Sequence, residues 1–505
     1  MSIGKAIGPN SIPTNILQLI KDNVAVPLAD IINVSFRTGM YFDILKISKT
    51  IPTFKEKGSN LYCCNYRPIS LLSNINKIFE KLMYSRVYNF LSTHNSIYKF
   101  QFGFRNKYST THALLHITED IRKALDENLF SIGVFIDLQK AFDTVEHEIL
   151  LSKLNYYGIR GVANDWFRSY LKNREQFVSI NGYNSNLTIM YFGVPQGSVL
   201  GPLLFLIYIN DLHNCIKFCT TRHFADDTNL LIKNTSLKQM QKRLNLDLRA
   251  LNNWLKANKI SLNASKTEFI LFRHPNKKIN YNLKIKIDGK KIIPSEWIKY
   301  LGIIFDPHLN WSYHVDRLAP RLSRANGMLS KIRHYVPANT LRTIYHGIFS
   351  SLMIYGSLVW GQFINKNVAR ITKLQDKAIR IINFAQHTDS RNPLYKNSNI
   401  LKFEDHVKVQ NFLFIHDNIK GNIPPVLSEH IKPVFNVHEY NTRAAEQFHI
   451  ALPKIKTDVY GLKSGTYSSI SVWNYFAKQF SEQDLPNKSR VYSKNLITKY
   501  FLNSY

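Results

Sequence analysis

Acidic residues are scarce in this chain. Over 505 residues, 35 Asp and Glu stand against 66 Lys and Arg, a formal net charge of +31. A charge of that size repels itself in the free protein unless a polyanion neutralises it. The cations are spread over the whole length, which favours an extended nucleic-acid channel over one anchoring patch; a basic protein without such a partner is the plain alternative. Cysteine is also rare, with only Cys63, Cys64, Cys215 and Cys219. Two adjacent residues and one short pair exclude a disulfide framework in a chain this long and point to a reducing compartment. His213, Cys215, Cys219 and His223 suggest zinc, but their irregular spacing leads straight into a strand pattern, so a structural role fits better. No apolar leader opens the chain: MSIGKAIGPNSIP lacks the h-region of a secretory signal. One long run, residues 343–364, is free of Asp, Glu, Lys and Arg. Its length could span a bilayer. It also holds His346, Gln362 and several Ser between basic amphipathic stretches, so a buried helix of a soluble bundle is the better reading.

The remainder is ordinary globular material, 45% hydrophobic and 20% charged. The length exceeds what one hydrophobic core serves, so several subdomains are expected. No internal repeat or low-complexity tract is evident. Apolar residues at three- and four-residue steps predict helices over 14–36, 74–94 and 110–128. Between the first two lies TIPTFKEKGSNLYCCNYRPISLL, which reads as an irregular basic segment. Then the period changes. SIGVFIDL (131–138) reads as a buried strand carrying Asp137 at its end, and residues 146–173 as a helix. QFVSING and NLTIMYFG alternate around 181–184 as a hairpin would. GVPQGSVLGPLLFLIYINDL is a Gly/Pro loop entering an apolar helix, and TRHFADDTNLLIK reads as two short strands about a polar pair. Residues 236–257 form an amphipathic helix, and KTEFILF is a strand again. The order predicts an α+β fold whose sheet is layered with helices on one side. Residues 312–385 read as mostly helical and 386–505 as mixed, with turn signals at Pro393, Pro424–Pro425 and Gly461.

Asp137 ends an apolar strand, and Asp226 and Asp227 sit at the tip of a strand pair. A carboxylate at such an edge is costly to bury unless it is paired or bound to a cation. Three brought together would repel and shift one another's pKa. Divalent ions resolve that conflict: Mg²⁺ takes one or two carboxylates, keeps some waters and takes substrate phosphates for the rest. Two such ions about 3.5–4 Å apart clamp the attacking and leaving oxygens of a phosphoryl transfer. Asp-Asp alone is a common turn dipeptide. It gains weight from its company: FIDLQKAFD (135–143), then GVPQGSVLGP (193–202), a Gly-rich turn opening a helix, then FADD (224–227).

Together these stretches resemble the A, B and C motifs of reverse transcriptases, in the wording of the jockey-like group of non-LTR retrotransposon polymerases. IPTFKEKG, NYRPISLLSNINKIFEKL and QFGFRNKYSTTHAL resemble that family's fingers motifs, SLNASKTEFILF its motif D, and KYLGIIFD its primer-grip strands. The resemblance runs from about residue 8 to residue 385. It implies a right-hand polymerase of fingers, palm and thumb, the palm an antiparallel sheet backed by helices. The implied division is 1–50, an N-terminal helical segment; 51–275, fingers and palm; 276–311, primer-grip strands; 312–385, a helical thumb; and 386–505, a mixed C-terminal region of unknown role. NTR (441–443) and VWN (472–474) resemble the tails of such polymerases.

The resemblance also implies roles. Asp137, Asp226 and Asp227, with the backbone carbonyl of Leu138, would hold two Mg²⁺ ions, for which Mn²⁺ could substitute. Phe142 would lie under the sugar of the incoming nucleotide and exclude a 2′-hydroxyl by clash. Pro195, Gln196 and Gly197 would line the templating base pair. Arg67 would stack on the incoming base and bond its phosphates, a task for a planar fork. Lys55 would neutralise the outer phosphates, Lys266 would protonate the departing pyrophosphate, and Lys299–Gly302 would bear on the primer. Arg317, Arg321, Arg324, Lys331 and Arg333 recur at three- and four-residue steps, a candidate phosphate stripe. The activity implied is RNA-directed DNA synthesis from an RNA template, a DNA primer or target, and dNTPs. The expected setting is intracellular, with no membrane, and the nucleus for target-primed synthesis. Relatives usually carry an endonuclease ahead of the polymerase, and the sequence holds no such domain, so a fragment is expected. A catalytically inactive RNA-binding relic and an RNA-dependent RNA polymerase are the alternatives; Phe142 argues against the second.

Overall fold

The run SIGVFIDL becomes the strand around which the molecule is arranged. The computed structural model describes residues 6, 8–9, 11–56, 58–362, 366–436 and 448–505. The strands β1 (Ile47–Phe54) and β2 (Tyr66–Leu71) precede β3 (Phe130–Ile136) and the short β4 (Leu138–Gln139). Then follow β5 (Arg174–Ile180), β6 (Tyr183–Asn184), β7 (Thr188–Met190), β8 (Thr220–Phe224) and β9 (Asp227–Asn234). The last are β10 (Ser261–Leu262), β11 (Glu268–Phe272), β12 (Lys286–Ile287), β13 (Lys290–Lys291), β14 (Ile298–Tyr300) and β15 (Ile303–Phe305).

The segment expected to be irregular is instead strand-forming, with β1 antiparallel to β2. Prolines disguised it: Pro52 pairs with Pro68. Neither interrupts a strand paired on both sides, because β2 is the sheet edge and the parallel partner β5 reaches only as far as Thr50.

The central sheet has the order β11-β3-β9-β8, all antiparallel. Every residue of β3 is buried. Ile132, Val134, Ile136, Leu230, Ile232 and Phe269 join a core built with the helices Asn74–Thr93, Val162–Leu171, Gly201–Ile209 and Leu237–Ala257. The alternate residues Phe135, Leu231, Ile270 and Phe272 join a second core with the helix Thr110–Asp126 and the C-terminal helices. Helices therefore cover both faces, not one, which is why β3 reads as a continuous apolar run.

Three predicted helices are broken. Residues 14–36 form Thr14–Leu19 and Lys21–Thr38, meeting at Ile20. Residues 146–173 form His147–Tyr156 and Val162–Leu171, separated where Gly158 and Gly161 take φ of 95° and 55°. The uncharged run 343–364 begins in the helix Ala338–Tyr345 and continues as a π turn His346–Ser350 and two short helices, Ser351–Ile354 and Ser357–Trp360. Its Tyr345, Phe349, Met353 and Trp360 are core residues. Among the described residues no helix is long and apolar enough to cross a membrane.

Helices Ser312–Ile332 and Lys366–Ile382 pack together, and Phe403–Ile419, Gly465–Gln479 and Arg490–Asn503 complete the second core. This C-terminal part is fastened to the helix Thr110–Asp126: Glu119 accepts from the Gly465 N–H (2.8 Å), and Asp126 from the Thr457 N–H (2.7 Å). Of the two tail motifs, 441–443 lies outside the described residues. VWN lies in the helix Gly465–Gln479, with Trp473 buried and Asn474 hydrogen-bonded to both backbone groups of Ile450.

Candidate active site

The three aspartates meet where the central sheet ends. The last registered pair of β3 with β9 is Ile136↔Thr228, so Asp137 and Asp227 are neighbours one step beyond it. Phe224 pairs with Asp227, leaving Ala225 and Asp226 as the two-residue turn of the β8–β9 hairpin. Asp137 leads into β4, which pairs with β10 and so brings in the SLNASKTEF segment. There Asn263 donates its backbone N–H to the Asp137 carbonyl oxygen (2.9 Å) and its side-chain amide to Asp137 Oδ2 (2.8 Å). Lys266 Nζ stands 3.7 Å from the same Oδ2. The Leu138 side chain is buried in the core.

The electrostatics are those of an acidic pocket that Lys266 and Arg67 neutralise only in part. Burial, then the charges of Asp226 and Asp137, push Asp227 up to about 6. Burial and Asp137 raise Asp226 as well, and Arg67 opposes that shift. Among the described residues, no three His, Cys, Asp or Glu side chains are gathered tightly enough to hold a metal ion as they stand. The Asp137 carboxylate is engaged instead by Asn263 and Lys266. The donor set still fits a hard divalent cation: it is all oxygen and open to solvent, with Asp227 exposed and Asp137 and Asp226 partly so. His213, Cys215, Cys219 and His223 are otherwise engaged; His213 stacks on Tyr98 (3.8 Å between centroids), and His223 Nδ1 meets Thr228 Oγ1 at 2.9 Å.

A second group of residues lies beside the acids. Phe142 is half-buried, its ring stacked on Phe205 (4.6 Å, 24°) and edge-on to Phe104 (6.2 Å). Its carbonyl accepts from the Val194 N–H (2.9 Å), tying motif A to the GVPQGS loop. Pro195 is buried and Gly197 exposed. Gln196 donates from Nε2 to Asp143 Oδ1 (2.8 Å), and its carbonyl accepts from Ser70 in β2 (2.7 Å). That bond brings the loop against the strand carrying Arg67, which is exposed and acts electrostatically on Asp226. Lys55 donates to the Cys64 carbonyl (2.8 Å) and acts on Asp143. Lys299 and Tyr300 end β14 and Leu301–Gly302 make the tight turn into β15, with Lys299 outward and Tyr300 buried; Asn229 of β9 donates to the Tyr300 hydroxyl (3.0 Å).

Asp137, Asp226, Asp227 and Lys266 thus lie at this end of the sheet, with Phe142, Arg67 and Pro195–Gly197 on the strands and loops that border it, whereas Arg317, Arg321, Arg324, Lys331 and Arg333 belong to the helix Ser312–Ile332 and its C-terminal cap. Four supporting residues escaped notice: Asn263, which holds Asp137; Asp143, which fixes the Gln196 amide; Gln101, which accepts from Ala225; and Glu80. Glu80 is fully buried, accepts from Tyr170 (2.7 Å) and the Val199 N–H (2.5 Å), and anchors the loop from beneath. Each lies inside a motif already recognised, QFGF, KAFD, SLNASK or IFEKL, which was the available signal.

Residues 54–305 match the family described as reverse transcriptase (RNA-dependent DNA polymerase). They belong to the reverse transcriptase family. The chain is similar to polymerases of jockey and other mobile elements. It is 30% identical over 370 residues to a probable RNA-directed DNA polymerase from transposon BS of Drosophila melanogaster, covering 68% of this chain and 39% of that protein. It is 28% identical over 400 residues to the RNA-directed DNA polymerase from the mobile element jockey of the same organism, covering 76% of this chain and 43% of that protein. The chain thus spans about two fifths of these curated relatives. A telomerase from Candida albicans shows a looser likeness, with a TM-score of 0.36 and 12% identity, over 74% of this chain and 64% of that one. The reverse transcriptase fold here is the right-hand polymerase plan, with β11-β3-β9-β8 as the palm and a helical thumb. The family generally uses divalent metal ions.

Proposed function

We propose that the chain is an RNA-directed DNA polymerase of a non-LTR retrotransposon, adding dNTPs to the 3′-hydroxyl of a primer paired with an RNA template. One observation carries the reading: the β3 end and the β8–β9 turn bring Asp137, Asp226 and Asp227 within electrostatic reach of one another, beside Arg67. The three carboxylates and the Leu138 carbonyl would hold two Mg²⁺ ions, or Mn²⁺, which when bound stabilise the charge on the attacking and departing oxygens. Arg67 and Lys55 would bind and orient the triphosphate, and Phe142, braced by Phe205, would reject a 2′-hydroxyl. Pro195, Gln196 and Gly197 would seat the templating base pair, with the Gln196 amide fixed by Asp143. Lys266 would give its Nζ proton to the departing pyrophosphate. The template is read by base pairing, so the protein needs shape and backbone contacts rather than sequence readout.

The test is primer extension on poly(rA)/oligo(dT) with Mg²⁺ or Mn²⁺. The wild-type chain should extend, while Asp137→Asn and Asp226→Asn should bind the duplex without extending it. Duplex binding without extension by the wild type would instead favour an RNA-binding relic.

A further inference from the structure

We infer that Gln101 and Gly103 are positioning residues, a strap from the QFGF segment that holds the Ala225–Asp226 turn in the shape its carboxylates need. This deepens the polymerase reading and rests on it. Ala225 has a φ of 56° at the first central position of a two-residue hairpin turn. Glycine is the residue that takes such a φ freely, so an alanine there must be held.

The hold comes from outside the hairpin. The QFGF segment lies along the outer edge of β8, with the Phe102 N–H donating to the His223 carbonyl (2.7 Å) and the His223 N–H to the Phe100 carbonyl (3.0 Å). Gln101 is 3% exposed, and its Oε1 accepts from two backbone donors, the Gly103 N–H (2.9 Å) and the Ala225 N–H (3.1 Å). A Cβ at Gly103 would overlap the Ala225 nitrogen and crowd the Phe224 carbonyl carbon. Glycine is therefore what lets the strap close on the turn. Both contacts fall on the peptide units preceding Asp226 and neither touches a carboxylate. The strap brings no charge to the pocket; it fixes the direction from which Asp226 and Asp227 project.

The test uses the full chain with Mn²⁺ as the probe, bound metal being read by electron paramagnetic resonance and RNA–DNA duplex binding by fluorescence anisotropy. Gln101→Met keeps the bulk and removes the acceptor. It should weaken Mn²⁺ binding about tenfold, as expected for stranding two buried donors, with duplex binding unchanged. Introduced into Ala225→Gly, the same change should weaken Mn²⁺ binding only about two- to threefold, because glycine holds a positive φ unaided. An equal loss in both backgrounds would mean that Gln101 merely packs, and would overturn the proposal. Should Gln101→Met fail to fold, Gly103→Ala replaces it, with the same expected weakening; wild-type Mn²⁺ affinity in that variant overturns the proposal alone. A wild-type chain that takes up no Mn²⁺ overturns the polymerase reading, and the strap with it.

Discussion

Asn263 holds Asp137 at two points, backbone to backbone at 2.9 Å and side-chain amide to Oδ2 at 2.8 Å. The second bond fixes the rotation of a carboxylate that is otherwise 41% exposed and free to turn. A hydrogen bond to a charged group contributes about 1.5–3 kcal/mol. Asn263→Ala should therefore slow extension by about ten- to a hundredfold, with duplex affinity unchanged. Single-turnover extension beside a binding titration checks this; an unaltered rate constant would remove Asn263 from the machinery.

The acidic pocket should give the metal-free protein a distinctive pH response. Asp227 is raised to about 6 in the folded chain, while an unfolded Asp titrates near about 3.9. Between those values the folded protein keeps a proton that the unfolded chain has lost, so stability falls as pH rises through that window. In EDTA, the wild type should lose melting temperature between about pH 4 and 6 relative to Asp227→Asn. Added Mg²⁺ should raise the wild-type melting temperature more at about pH 7 than at about pH 5, since it then meets an ionised pocket. Differential scanning fluorimetry on both proteins decides it: parallel pH profiles would contradict the electrostatic picture.

What could be read from the sequence follows from how locally each feature is encoded. β3 was legible because burial on both faces leaves seven consecutive buried residues, a pattern no exposed segment shows. The aspartates were legible because their motifs occur in order along the chain. β1 and β2 were hidden because Pro52 and Pro68 argue against a strand until the missing partner on one side is known. Gln101 and Asn263 were hidden for another reason. They are neutral amides whose partners lie 124 and 126 residues away, so the motifs QFGF and SLNASK that contain them do not reveal what they hold.

The Phe142 ring has little freedom, stacked on Phe205 and met edge-on by Phe104. A ring held on two sides makes a rigid floor, and rigidity is what a steric gate needs. Phe142→Ala and Phe142→Val should raise ribonucleotide use relative to deoxynucleotide use by about ten- to a hundredfold. Phe205→Ala should do the same more weakly, by letting the ring tilt. Comparing kcat/KM for a dNTP and its rNTP in each variant provides the check; unchanged selectivity in Phe142→Ala would end the gate role.

The thumb cations are not equivalent. Arg317 lies over the Trp297 ring (5.3 Å) and Arg333 over Phe384 (5.2 Å), so both are partly committed to packing. Arg321 and Arg324 are exposed and border a cleft of about 420 Å³ with Met328, Gly347 and Ser351. A cation that neutralises a phosphate releases a counterion, so removing it lowers the salt dependence of binding by about one unit of slope. The double variant Arg321→Gln/Arg324→Gln should therefore bind an RNA–DNA duplex more weakly, with a log–log salt slope shallower by about two. Arg333→Gln should instead lower the melting temperature and leave the slope nearly unchanged, because its guanidinium is held against a ring. Anisotropy titrations across a salt series separate the two. A slope unaffected by the double variant would mean that the duplex does not cross this face of the helix Ser312–Ile332.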